Sequence, residues 1–587
     1  MRNLFSKIVI VLALAVATLS CSSKKQSSNN NSDKIFSNLE TAFLDAYWKQ
    51  HPASSVFIGY GKYYDKLVIP DSASFADNIS FSKQWIDSID KIDINQLNTN
   101  NQISFKIIKN QLESDIWYLS VFKPQEWDAS LYNLASECDY IINQPYASLD
   151  ERLKILTKHL EHADEYYSAA FKMLHKPTKE HILLAIRQNL GGISVFGKAL
   201  TDSINKSQLT STEKNDLHQN IIKTTSAINA YVAALKTIIA TKDFEYRDFR
   251  IGKKLYSEKF KYDLVTDFSP EQVYEKAIAD KKLYSEKMYR IAVSVWDKYY
   301  KNQDKPKDSL QLTQMVLNKI QMQHVQPAAY FNYLTNQVHL LKKFIIEKDL
   351  FDFDTINPPI KVRMMPEYAR GFSLASAEFT PPYQKQGVTY FNIDDLTLYD
   401  PKKAESALRE YNDYSSQILA IHEAVPGHCL QGIYNSKKSP DVVRSVFQNG
   451  AMIEGWAVYT QEMMVDNGWG NHTPEMELIL YKWKLRELAN VIIDYDIQCL
   501  NKSKEDIIHI LMNDCFQTEA QAEEKYNRAT VSQVQLCSYY TGYSAIKLLR
   551  EEYKKKMGSH YSLKDFHEKF LSYGSSPVKY ISECMLK

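Results

Sequence analysis

The sequence contains little glycine and proline. The 587 residues include 17 Gly and 18 Pro, about 3% each, against a usual share of roughly 7% and 5%. Because hairpins and tight turns need these residues, their scarcity argues against an all-β fold and favours long helices. An excess of charge is also missing, since 71 basic and 70 acidic side chains leave a net charge of +1. Nucleic-acid-binding proteins carry a basic excess, so we expect no nucleic-acid partner.

Long apolar runs are missing too, except at the N-terminus. Arg2 and Lys7 precede an apolar stretch at residues 8–17, and small residues follow up to Cys21. The stretch is too short to span a bilayer and is typical of a secretory signal, predicted at residues 1–20. Because it ends on a cysteine, it resembles a bacterial lipoprotein signal, with Cys21 as the lipidated residue. The alternative is an ordinary signal that is cleaved nearby.

Residues 21–34 are polar and contain no apolar side chain after Cys21. Such a composition is typical of a flexible tether. We therefore expect an exported protein, lipid-anchored to a bacterial membrane, with its body in the periplasm or at the cell surface.

The rest of the chain has mainly helical periodicity. Ser148 and Ser269 each begin a strong helix-start pattern, whereas residues 387–394 are rich in β-branched and aromatic residues and predict a strand. We expect that strand to pair with an extended peptide. The predicted fold is mainly α, with two helical lobes around a cleft (35–250 and 251–587) and a small β-sheet beside the site helices.

The stretch with the clearest chemistry begins with His422 and Glu423, the opening of the zinc-peptidase pattern H-E-x-x-H. The next histidine is His428, six residues later, which on an unbroken helix would point about 120° away. A shared metal ion therefore requires a helix break. Pro426 and Gly427 lie at that place, because proline removes a helical N–H and glycine can adopt positive φ. The alternative is two unrelated histidines at a helix end.

A second stretch places Glu454 within an apolar run at residues 451–459. A buried carboxylate without a partner costs several kcal/mol. A metal ion would remove that cost, and zinc sites that begin with His-Glu take a third ligand from a following helix. Glu454 is the predicted third ligand; the alternative is an ion pair with an arginine.

These two motifs, HEAVPGHCLQ and EGWAVY, resemble the bacterial "domain of unknown function 885" family. Weaker similarity extends over the mature chain, at residues 45–59, 252–277 and 535–550. The resemblance implies a zinc metallopeptidase with a mostly helical fold related to zinc oligopeptidases and carboxypeptidases. The chain departs from the family pattern at Gln461, where Glu is common, at Gln533-Val534, and at 494–498, which lacks a histidine. We expect Asp494 to orient a ligand histidine.

The motifs predict a mechanism in which Zn²⁺, held by the two histidines and Glu454, activates a water. Glu423 would act as the general base. Tyr539 is the predicted donor to the oxyanion, by resemblance to the tyrosine-bearing helix of thimet-type oligopeptidases; packing is its alternative role. Tyr543, four residues on, together with Arg528 and Arg550, is assigned to substrate binding.

The sequence therefore predicts an exported zinc peptidase that hydrolyses short peptides, of the oligopeptidase or carboxypeptidase type. One alternative is a non-catalytic binding lipoprotein on the same scaffold. Another is a metallohydrolase of non-peptide amides or esters. The sequence leaves the oligomeric state open.

Overall fold

The computed structural model describes residues 31–353, 360–366, 370, 373–384 and 388–587. Within these ranges the chain is mainly α-helical with one small mixed sheet, as the scarcity of glycine and proline predicts. No helix in these ranges is long and apolar enough to cross a membrane. The predicted signal peptide and Cys21 lie outside the described residues. Helix α1 covers residues 31–50 and so includes 31–34, which the sequence assigned to the tether.

The helices that precede the sheet are α1 (31–50), α2 (Pro52–Phe57), α3 (Ser72–Ile89), α4 (Thr99–Trp117), α5 (Ala135–Asn143), α6 (Leu149–His159), α7 (Ala163–Met173), α8 (Lys179–Gly192), α9 (Lys198–Lys206), α10 (Ser211–Ala240), α11 (Gly252–Leu264), α12 (Pro270–Tyr299), α13 (Ser309–Ile320) and α14 (Tyr330–Glu347). The helices that follow it are α15 (Pro401–Glu410), α16 (Asp413–Glu423), α17 (His428–Lys438), α18 (Val443–Val446), α19 (Gly450–Asp466), α20 (Pro474–Leu500), α21 (Lys504–His509), α22 (Glu519–Val531), α23 (Ser538–Met557), α24 (Leu563–Leu571) and α25 (Val578–Met585).

Both predicted helix starts are confirmed. The Ser148 side chain accepts the backbone N–H of Glu151 at the start of α6, and Ser269 accepts that of Gln272 at the start of α12, where Pro270 is the first helical residue. In each case an oxygen of the glutamate or glutamine side chain accepts the backbone N–H of the cap residue. These capping boxes satisfy N–H groups that a helix start leaves without a partner.

The sheet has three strands, β1 (Lys361–Met364), β2 (Ala375–Glu378) and β3 (Tyr390–Ile393). Their order is β1-β3-β2, with β1 parallel and β2 antiparallel to β3. Strand β3 confirms the strand predicted at 387–394, of which residue 387 lies outside the described residues. Because β3 has a neighbour on both sides, it cannot pair with a peptide, and that expectation is wrong. Strand β2 contacts α16 and α17.

The chain forms two compact units. One comprises the described residues up to Gln125 together with Leu134–Met173 and Gly192–Tyr231, and in these ranges it contains helices and no strand. The other comprises Glu126–Asn133, Leu174–Gly191 and the described part of Val232–Lys587, and contains the sheet. The predicted boundary between residues 250 and 251 stays a prediction.

Candidate metal centre

The helix breaks between the two histidines, as predicted. Helix α16 ends at Glu423, the Val425–Pro426 peptide bond is cis, and α17 begins at His428. Gly427 has a φ of −73°, so the positive φ that glycine allows is not used. Space is the reason for glycine here, because a Cβ at this position would lie 1.8 Å from the carbonyl oxygen of His422.

Three predicted ligands lie close together at this break. The imidazole centroids of His422 and His428 lie 4.7 Å apart. Glu454 Oε2, from α19, lies 3.7 Å from Nε2 of His422 and 3.5 Å from Nε2 of His428. Ligand atoms at 2.0–2.1 Å from a tetrahedral zinc ion are about 3.3 Å apart. The three side chains therefore fit one zinc ion with small adjustments.

The environment of Glu454 also fits a cation. Its Oε2 is buried and has no hydrogen-bond partner in the described chain. The ion pairs of Glu454 among the described residues are with the two histidines, rather than with the arginine that was the alternative. A buried carboxylate oxygen without a donor is costly, and a bound metal ion would remove that cost.

The two carboxylates at the centre differ in their acidity. Burial raises the pKa of Glu423 to about 7, although the charge of His428 and the backbone N–H of Ala377 in β2 partly oppose it. Burial would also raise the pKa of Glu454, but the close approach and charge of His428, together with the charge of His422, outweigh burial and lower that pKa. Such a difference suits one carboxylate to accept protons near neutral pH and the other to remain an anionic ligand.

Gln461, which the sequence analysis noted as a departure, positions His422. Its amide Nε2 lies 2.9 Å from Nδ1 of His422, and its Oε1 is buried without a partner among the described residues. Turning the amide over places Oε1 there to accept the Nδ1–H, which leaves Nε2 for a metal. Asp494 instead accepts from the hydroxyl of Tyr256 and the N–H of Val534. The prediction that it orients a ligand histidine is wrong.

Two glycines bring α19 and α23 into contact beside the centre. A Cβ on Gly455 would lie 2.3 Å from the carbonyl carbon of Gly542, and one on Gly542 would lie 1.7 Å from the carbonyl oxygen of Ala451. The helix backbones can approach this closely because neither residue has a side chain. One turn before Gly542, Tyr539 comes near enough for the charge of Glu454 to raise its pKa, in addition to the larger effect of burial.

A cavity of about 600 Å³ opens onto His422 and Glu423, a volume typical of small-ligand sites. Among its lining residues are the predicted site residues His422, Glu423, Tyr539 and Arg528. Arg486 and Lys525 also line it, and the sequence analysis missed both. They lie on α20 and α22, outside either motif, so no local pattern marks them.

Tyr543 and Arg550 are not among the residues that line this cavity. The Tyr543 hydroxyl donates to Glu462, and the ammonium of Lys484 lies 3.7 Å from its ring centroid. The guanidinium of Arg550 lies over the ring of Tyr459. From one helical turn beyond Tyr539 onward, these two residues of α23 do not line the cavity. The geometry therefore gives no support to the substrate-binding roles predicted for Tyr543 and Arg550.

A family model described as "Bacterial protein of unknown function (DUF885)" matches residues 52–585. The chain belongs to this family. The match includes both central motifs and thus confirms the resemblance seen in the sequence. No curated protein matches the chain.

Two solved structures are similar to this member of the family. One is a "putative lipoprotein of unknown function" from Shewanella oneidensis, with 39% identity over 94% of this chain and 100% of that chain and a TM-score of 0.86. The other is a "putative lipoprotein" from Colwellia psychrerythraea, with 17% identity over 94% and 98% of the two chains and a TM-score of 0.74. The second likeness is one of fold alone.

Proposed function

We propose that the protein is an exported zinc-dependent peptidase that hydrolyses short peptides. The observation that carries the proposal is the convergence of His422, His428 and Glu454 at zinc-ligand spacing. Glu423 lies beside them, and its carboxylate and the two imidazoles offer atoms within 4.8 Å of one another. A protein that only binds a ligand would not need this second carboxylate.

When bound by the three ligands, a zinc ion supplies activation of a water and polarisation of the peptide carbonyl. Glu423 takes a proton from the attacking water and passes it to the leaving amine. The hydroxyl of Tyr539 donates a hydrogen bond to the carbonyl oxygen as negative charge develops there. Gln461 holds His422 in the tautomer that keeps Nε2 for the metal.

The N-terminal segment supports export and a lipid anchor at Cys21. The two similar structures are each named a "putative lipoprotein", which supports the same proposal. Mass spectrometry of the protein expressed in a bacterium with its own leader tests it. We expect the chain to begin at a diacylated Cys21; an unmodified chain that begins elsewhere would contradict the anchor.

The test of catalysis is hydrolysis of a panel of short peptides by the zinc-loaded wild type and by Glu423→Gln. We expect the variant to bind zinc as the wild type does and to lose at least about 10²-fold in kcat/KM, because the proton acceptor is gone. Undiminished turnover in the variant would contradict the mechanism. Hydrolysis of N-acyl amino acid amides or esters but of no peptide would favour a metallohydrolase of non-peptide substrates instead.

A further inference from the structure

Three cationic side chains form one wall of the cavity: Arg486 from α20, and Lys525 and Arg528 from α22. We call them the basic cluster. The ammonium of Lys525 lies 3.3 Å from the backbone carbonyl of Arg486, to which it donates a hydrogen bond. The cluster lines the same cavity as His422 and Glu423, so a ligand of modest size can reach both.

The basic cluster forms few ion pairs, although three glutamates other than Glu423 line the same cavity: Glu410, Glu487 and Glu524. Among the described residues, one carboxylate lies within ion-pair distance of the basic cluster. It is that of Glu410, which lies 3.5 Å from Nη1 of Arg486. Glu410 is already bound more closely by Lys482, at 2.7 Å. Arg528 donates to the neutral amide of Gln535.

The pKa of Lys525 reflects the electrostatic repulsion within the basic cluster. Burial lowers the pKa of Lys525 well below its usual value, and the positive charges of Arg486 and Arg528 lower it further. Nη1 of Arg486 is also buried without a hydrogen-bond partner among the described residues. An anion in the cavity would relieve the repulsion and give this N–H an acceptor.

The cluster lies close to the metal ligands. The charge of Arg486 acts on His422, and that of Arg528 acts on Glu454. An anion held here would therefore lie near the peptide bond presented to the metal centre. In a short peptide, the anionic group that every substrate carries at a fixed distance from its last peptide bond is the terminal carboxylate.

We propose that the basic cluster binds the free C-terminal carboxylate of the peptide substrate, so that the enzyme removes residues from the C-terminus. This inference rests on the proposed function and deepens it, because it selects an exopeptidase over an endopeptidase. The guanidinium of Arg486 is suited to the role, since a planar fork can bind a carboxylate through two hydrogen bonds.

Calorimetric binding to the zinc-loaded Glu423→Gln variant of the mature chain tests the proposal without turnover. The probes are acetyl-Ala-Ala-Leu with a free carboxylate and the same peptide as its carboxamide. We expect the acid to bind at least about tenfold more tightly, since charge-assisted hydrogen bonds are lost in the amide. Equal affinity for the two peptides, or binding of neither, would overturn the proposal.

Charge-removing substitutions then locate the site. Arg486→Gln and Arg528→Gln, each added to Glu423→Gln, should weaken binding of the acid about tenfold and leave binding of the amide unchanged. Arg528 is exposed, so its variant keeps the test valid if Arg486→Gln folds poorly. Lys402→Gln, which removes an exposed cation outside the cavity lining, is the matched control and should change neither affinity. Acid binding that survives both arginine substitutions would overturn the assignment.

Hydrolysis of both peptides by the wild type separates this proposal from the proposed function. Equal kcat/KM for acid and amide would leave the peptidase standing and overturn the carboxylate site. Acid-selective binding without hydrolysis of either peptide would support the carboxylate site and contradict the peptidase.

Discussion

Helix α19 carries two largely buried glutamates, Glu454 and Glu462, and their surroundings differ. The Glu462 carboxylate lies 2.8 Å from the ammonium of Lys547 and 3.5 Å from that of Lys484, and it accepts the Tyr543 hydroxyl. Glu454 faces two histidines and keeps a buried oxygen without a hydrogen-bond partner in the described chain. The first arrangement is complete within the protein, whereas we propose that a cation completes the second.

This difference separates a stabilising cluster from a binding site on the same helix. Removing one member of a complete ionic cluster leaves buried charges unpaired and is strongly destabilising. Removing a ligand from an incomplete site abolishes binding at little cost to the metal-free fold. The predictions below test whether the two glutamates differ in this way.

The largest effect on stability is expected for Glu462→Gln. The substitution takes one carboxylate away from Lys484, whose side chain is 2% exposed. We therefore expect a loss of about 3–5 kcal/mol in the free energy of unfolding. Urea denaturation of the metal-free protein measures it. Glu523→Gln, which breaks an exposed pair with Lys504, is the control and should cost under about 1 kcal/mol. Equal losses in the two variants would contradict the account.

The stabilising role of Glu462 should depend on pH. Burial by itself raises its pKa, but Lys484 and Lys547 outweigh burial and lower the pKa to about 2, against about 4.3 in an unfolded chain. Because the folded-state pKa is depressed, the contribution is fully present above the unfolded pKa and is lost as the pH falls toward 2. The contribution of this pKa shift to the free energy of unfolding is on the order of 3 kcal/mol. We expect the difference in unfolding free energy between wild type and Glu462→Gln to narrow over that range; a constant difference would contradict it.

A smaller effect, on metal affinity alone, is expected at Gln461. Gln461→Leu removes the acceptor for Nδ1–H of His422 and should weaken zinc binding about 10- to 100-fold, measured by competition with a chromogenic chelator. Gln461→Glu, which introduces the residue common in the family, should bind zinc at least as tightly as the wild type. If the leucine variant kept wild-type affinity, Gln461 would have no positioning role.

The sequence predicts the centre better than its surroundings. The four central residues could be found because each lies in a local motif: a histidine–glutamate pair, a proline–glycine break, and a carboxylate in an apolar run. The sequence assigns Tyr543 to substrate binding although it does not line the cavity, because helical spacing reveals which residues share a face but not how far a cavity extends along it. The sequence analysis gives the orienting role to Asp494 and assigns no role to Gln461, because the sequence does not reveal which polar side chain reaches a given imidazole nitrogen.

The basic cluster illustrates the same limit. Arg486 and Lys525 come from two helices that carry no motif, and the role proposed for them depends on a shared cavity and on how few ion pairs they form there. The shared cavity and these ion pairs arise only when the helices pack together, so the sequence does not reveal them. The sequence predicts a small sheet but identifies only one of its strands, since β1 and β2 are short and have weaker β-forming composition.

The central claim is that Glu454, unlike Glu462, serves a metal ion. The most direct measurement is the zinc content of the purified mature protein after zinc has been offered, for the wild type, Glu454→Gln and Glu462→Gln. The account predicts about one zinc per chain in the wild type and in folded Glu462→Gln, and almost none in Glu454→Gln. A wild type without zinc, or a Glu454→Gln variant with as much as the wild type, would contradict it.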